Sequence, residues 1–112
     1  MKDKIEELGN RAYIYSIDNL SFAKTLQKKG FDTTVVNHIV QISGKLSTAL
    51  MNATDSEDEY EKTSLLGKSL TFAKQNLKLL QDVQCKEALL NEKSNLIIET
   101  YEIVQELEGL LF

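Results

Sequence analysis

The chain is 112 residues long and 42% hydrophobic, enough for one domain with its own core and too short for two. Thirteen Lys and Arg against seventeen Asp and Glu give a formal charge of -4, so the overall field repels phosphate backbones and anionic lipid, and nucleic-acid binding would need a local basic patch. The longest apolar runs span two to four residues, far below the roughly 20 of a bilayer span; Met1-Lys2-Asp3-Lys4 lacks the apolar stretch of a secretory signal, and Cys85 is the single cysteine. A protein of the reducing cytoplasm, without membrane association, is expected.

No proline and only five glycines interrupt the chain, and its apolar residues recur at helical spacing. The first predicted helix covers about residues 4–29, with Ile5, Leu8, Ala12, Tyr15, Phe22 and Leu26 on one seam and Asn19 as its one polar step. Lys28 and Lys29 suit the negative end of the helix dipole, and Gly30 can take the left-handed conformation that closes a helix. Asp32 or Thr33 can cap the next one.

The second helix is predicted over about 33–53, with Val35, Ile39, Ile42, Leu46, Ala49 and Ala53 on one stripe and Val36, Val40 and Leu50 beside it. Between Thr33 and Thr54 the only formally charged residue is Lys45. A fully solvated helix carries more charge than this, so the second helix is expected to be more buried than its neighbours, in the bundle or against another subunit.

Ser56 followed three residues later by Glu59 reads as a capping box opening a third helix over about 57–83. Thr63, Leu66, Leu70, Ala73, Leu77 and Leu80 form its stripe, accompanied by Leu65, Phe72, Leu79 and Val83. The fourth helix, about 87–110, carries Leu90, Ile97, Val104, Leu107 and Leu111 on one stripe and Leu89, Leu96, Ile103 and Leu110 on the next, a wider arc than one seam needs. Four helices of this length joined by links of a few residues must alternate in direction, which predicts an all-α, antiparallel up-down-up-down four-helix bundle.

No catalytic constellation stands out, and no enzyme activity or cofactor is expected. His38 has no second histidine or cysteine at ligand spacing and reads as a packing or interface residue. Cys85 lacks a partner histidine and reads as a small buried hydrophobe. Asp55, Glu57, Asp58 and Glu59 lack the spacing of a calcium loop and lie where a helix N-terminus favours negative charge. A di-iron bundle would need a Glu-x-x-His pair, and His38 is preceded three residues earlier by Val35. Gly44, in Ser43-Gly44-Lys45, lacks the spacing of a phosphate loop and reads as a small residue for close helix approach.

Several short patterns resemble a known family. They are the Ala12-Tyr13 start with apolar positions through Phe22, Ser43-Gly44 followed by Ala49, Ser56-Glu57-Asp58-Glu59-Tyr60 at the start of the third helix, and the closing Glu102-Ile103 and Leu110-Leu111. Over about residues 12 to 111 the chain resembles the small bacterial four-helix bundle proteins. That group includes the intervening-sequence protein of large ribosomal RNA genes and the accessory variability protein of diversity-generating retroelements. The chain departs from that pattern at Leu50, Ala53 and Thr54, where the family has an Asn and a Glu-Ala pair, and at Gln41 and Ile42, where it has arginines. The resemblance implies a ring-shaped homopentamer and, for the retroelement members, association with reverse transcriptase and RNA through a basic surface.

The leading expectation is a self-associating, non-enzymatic adaptor or accessory subunit with an unidentified protein partner, a homo-oligomer for which the resemblance favours a pentameric ring, with a dimer as the fallback. Surplus neutral or apolar surface places its interface at Asn37, Gln41, Gly44, Thr48, Leu96, Ile103 and Leu110. An alternative is an RNA-binding accessory subunit of a reverse-transcriptase system using Lys45, Lys62, Lys68, Lys74 and Lys78, which the acidic balance works against. A third is an immunity or inhibitor-type protein whose acidic stretches, Asp55 to Glu61 and Glu99 to Glu108, meet a basic target.

Overall fold

The computed structural model describes residues 2–112. Four helices follow one another: α1 (Lys2–Lys28), α2 (Thr33–Asp55), α3 (Glu59–Asp82) and α4 (Glu87–Leu111). Their bounds lie within two residues of those expected from periodicity. Helices of 23 to 27 residues are roughly 35 to 40 Å long at 1.5 Å per residue, which matches the 44 Å long axis of a body 20 by 18 Å across. Each helix packs on its chain neighbour and α4 closes on α1, giving the four-helix bundle; the α1–α4 contact is the lightest of the four.

Local chemistry sets the reversals. Gly30 is at φ +83°, the left-handed conformation in which a Cβ is strained, and the Phe31 amide reaches back to the Leu26 carbonyl at 3.1 Å, closing α1. Asp32 caps α2 by accepting from the Thr34 amide at 2.8 Å. The capping box expected from Ser56 and Glu59 does not form. Asp58 is the N-cap of α3, accepting from the Tyr60 amide at 2.9 Å, while Ser56 ends α2 and its hydroxyl donates to the Asp58 carbonyl. α3 begins at Glu59, two residues later than a Ser56 cap requires, and Asp58, directly before the first helical residue, satisfies the amide donor instead. At the other end of α3, Lys93 reaches across from α4 and donates to the carbonyls of Val83 (2.6 Å) and Gln81 (3.4 Å), covering acceptors that the helix terminus leaves open.

The seam of α1 is buried as expected, from Ile5 through Leu8, Ala12, Tyr15, Phe22 and Leu26. On α2, Ile39, Leu46, Ala49 and Ala53 of the expected stripe are buried together with Val36, Ser43, Ser47 and Leu50, while Val35 and Ile42 are only half-buried, a small rotation of the buried line. Ser43 can occupy the core because its hydroxyl donates to the Ile39 carbonyl at 2.7 Å, leaving no unpaired polar group. As expected, α2 is more buried than its neighbours, with only 10 of its 23 residues exposed among the described residues, but its neutral side chains are not what is covered. Thr34, Asn37, Gln41, Thr48 and Asn52 are exposed, and so is His38, which packs against nothing in the core.

A polar layer crosses the middle of the bundle. Asn76 on α3 donates through Nδ2 to Asn19 Oδ1 (3.0 Å) and to the Tyr15 hydroxyl (2.6 Å), both on α1. Tyr15 and Thr100 of α4 share a short hydroxyl contact, and since Thr100 Oγ1 donates to the Leu96 carbonyl at 2.6 Å, Tyr15 is the donor of that pair. Asn19 Nδ2 closes the set on the Tyr15 carbonyl. Burial pushes the Tyr15 hydroxyl above its ordinary pKa, and the hydrogen bonds with Thr100, Asn76 and Asn19 oppose that shift in part.

Candidate functional site

α1 is amphipathic in an unusual sense, being apolar on its outer side as well. Opposite the buried seam, Tyr13, Ile14, Ile17 and Leu20 are 56%, 60%, 48% and 38% exposed. Tyr13, Ile17 and Leu20 follow a 4-then-3 spacing, so they form one stripe down the outward face. Glu6 and Asn10 extend the same spacing toward the N-terminus and Lys24 toward the C-terminus, and all three are exposed. Four large apolar side chains in eight residues on water form a contiguous patch of the kind that marks an interaction surface.

Beside this stripe the light α1–α4 contact leaves a groove of about 540 Å³. It is lined by the buried Phe22 and Leu96, by the exposed Ile14, and by Asp18 from α1 with Glu92 and Glu99 from α4. At one end Arg11, the only arginine of the chain, bridges the helices: Nη2 meets Glu99 at 2.9 Å and Glu102 at 2.8 Å, and Nη1 meets Glu106 at 3.2 Å. Burial works to lower the Arg11 pKa, but the hydrogen bond and charge of Glu99, with Glu102 and Glu106, outweigh it and hold the guanidinium above its ordinary value. One positive charge facing three carboxylates, with Asp18 and Glu92 further along, leaves this flank strongly acidic.

The residues singled out from the sequence separate into three groups. Gln41, Gly44 and Thr48 come together with Lys45 and Asn52 around a shallow α2–α3 groove of about 490 Å³ floored by Val40, Leu65 and Phe72; Asn37 is exposed on the same helix. Gly44 brings no helix close, since a Cβ there would meet nothing within 4 Å; the glycine facing a neighbouring backbone is Gly9, whose Cβ would lie 3.9 Å from the Leu50 carbonyl oxygen. Leu96 and Ile103 are core residues at 7% and 0% exposure, and Leu110 packs half-buried against the core, so most of the wide apolar arc of α4 is used inside the monomer and Leu96 and Ile103 leave the interface set, although Leu90, Ile98 and Tyr101 of the same helix stay exposed. The lysines do not form one strip. Lys62 pairs with Glu59 at 3.4 Å, Lys78 with Asp82 at 3.5 Å, and Lys68 and Lys74, six residues apart, point about 120° from each other around α3.

Cys85 is half-buried against the core in the α3–α4 link, close to Phe31, Lys29 and Lys86. Among the described residues, no group of three His, Cys, Asp or Glu side chains is placed to hold a metal ion, and no helix is long and apolar enough to cross a membrane. Sequence reasoning missed the outer stripe of α1 because it followed the buried seam of that helix alone; Tyr13, Ile17 and Leu20 repeat at the same spacing half a turn away.

No family model, curated protein or solved structure matches the chain.

Proposed function

We propose that the protein is a non-catalytic four-helix bundle that self-associates and serves as an adaptor or accessory subunit. One observation carries this reading: the outer face of α1 leaves Tyr13, Ile14, Ile17 and Leu20 on water, an apolar surface with no use inside the monomer. The interface accordingly moves from the α4 arc to α1, with the neutral α2 face of Asn37, Gln41 and Thr48 available to a further partner. Membership of the bacterial four-helix bundle family belongs to the proposal, on the resemblance, and a reducing cytoplasmic setting belongs to it on the lone Cys85. Sedimentation equilibrium at tens of micromolar tests it. A mass that is a multiple of 12.7 kDa is expected, falling to 12.7 kDa in Ile17→Lys, and a wild-type chain that stays at 12.7 kDa overturns it.

A second reading is favoured by the α1–α4 groove, whose acidic and apolar lining suits a cationic amphipathic helix of a partner protein. A Leu/Lys amphipathic peptide should then bind with an affinity that drops in Glu92→Gln/Glu99→Gln and not in Glu57→Gln/Glu61→Gln. Equal loss in both variants would reduce the effect to net charge. The RNA reading has the least support, since two of its five lysines are already paired.

A further inference from the structure

The outer seam of α1 is palindromic. Its exposed members are Glu6, Asn10, Tyr13, Ile17, Leu20 and Lys24, spaced 4, 3, 4, 3 and 4, with an acid at one end, a base at the other and apolar residues between. The spacing reads the same in both directions about the helix midpoint at residue 15. Superposed antiparallel on a second copy about that point, Tyr13 meets Ile17, Asn10 meets Leu20, and Glu6 meets Lys24, each pair occurring twice. We propose that two copies of this chain associate through α1 in that antiparallel, two-fold register. The inference rests on the self-association proposed above and specifies its partner, orientation and pairing.

Three physical arguments support this choice. A two-fold contact is isologous, so one patch is satisfied by its own copy and the assembly closes at two. A seam with 4-3 spacing is the geometry along which two helices interlock side chains. Charge decides the orientation: a parallel pair would set Glu6 against Glu6 and Lys24 against Lys24, whereas the antiparallel pair replaces both repulsions with attractions. The seam spans 18 residue steps, roughly 27 Å, which is a contact at the small end of specific interfaces, so the dimer is expected to dissociate on dilution.

Charge reversal tests the register, followed by sedimentation equilibrium from 1 to 200 µM with circular dichroism as the check on folding. Glu6→Lys and Lys24→Glu should each weaken the dimer by about tenfold or more, since each creates two like-charge pairs. The double variant Glu6→Lys/Lys24→Glu should return the dissociation constant to within about threefold of wild type. Adding 0.5 M NaCl should shrink the penalty of the single variants. A wild-type monomer at 200 µM overturns the self-association reading itself. A wild-type oligomer that Ile17→Lys dissociates but that the double charge reversal fails to restore overturns the antiparallel register alone. A mass of five chains overturns the two-fold dimer in favour of a ring.

Discussion

Asn76 and Asn19 stand on diagonally opposed helices, and the 3.0 Å hydrogen bond between their side chains spans the centre of the bundle from α3 to α1. Both are fully buried, and Asn76 spends its two donors on Asn19 and Tyr15 while its own Oδ1 is left without a protein partner. Each of these groups would be costly in an apolar core if its bond were lost, so one vertical alignment of α1, α3 and α4 satisfies the layer and a shift by one helical turn does not.

Breaking that layer from one side should therefore cost more than removing it. Asn76→Leu strands Asn19 Oδ1 in the core and is expected to lower unfolding free energy by about 1 to 3 kcal/mol. Asn19→Leu/Asn76→Leu should recover part of that loss, because no stranded acceptor remains. Urea denaturation of the two single variants and the double variant checks the sign of the coupling; strictly additive losses would mean that the bond carries no energy of its own.

The raised Tyr15 hydroxyl makes a pH prediction with a definite sign. In the native state the neutral phenol is favoured, so above the unfolded tyrosine value, roughly 10, the unfolded chain holds fewer protons than the folded one and stability falls as pH rises. The contribution is complete below about pH 10 and disappears as pH climbs through the higher native value. Tyrosinate absorbance should show one hydroxyl titrating later than the other three, and Tyr15→Phe should abolish that late step.

Arg11 is a third exposed, so its ion pairs are screened and each is worth about 0.2 to 1 kcal/mol. Its removal has a second consequence, since Glu99, Glu102 and Glu106 then repel one another along α4 without a counter-charge. Arg11→Gln should lower the thermal midpoint at 20 mM salt and do so much less at 1 M NaCl. A salt-independent loss would point to packing of the arginine stem instead.

At the α2–α3 reversal, Asp58→Ala should cost about 0.5 to 2 kcal/mol because it removes the cap on the Tyr60 amide. Ser56→Ala should cost less, since its hydroxyl bonds only a neighbouring carbonyl in an exposed link. Chemical denaturation midpoints at constant slope rank the two, and the opposite order would put the cap back at Ser56.

The division between what could and could not be read from the chain follows from how far each signal acts. Helix number, length and the buried seam of α1 are local: absence of proline, the 3-4 recurrence of apolar residues and the Gly30 turn act within a few residues of themselves. Their short links then leave alternation as the single arrangement. Rotation about each helix axis is not local. α2 turns to bury Ser43 in place of Ile42, and α4 turns most of both its stripes toward the core while leaving Leu90 outside, because each helix answers to two neighbours at once. The polar layer belongs to that second class as well: nothing in the chain marks Asn76 and Thr100 as partners of Tyr15 and Asn19, since the bonded positions lie 57 to 85 residues apart and become adjacent only when α1, α3 and α4 are set side by side. The same packing exposes the proposed functional surface, for it uses most of the apolar arc of α4 inside the monomer and leaves the outer stripe of α1 with nothing of its own chain to cover it.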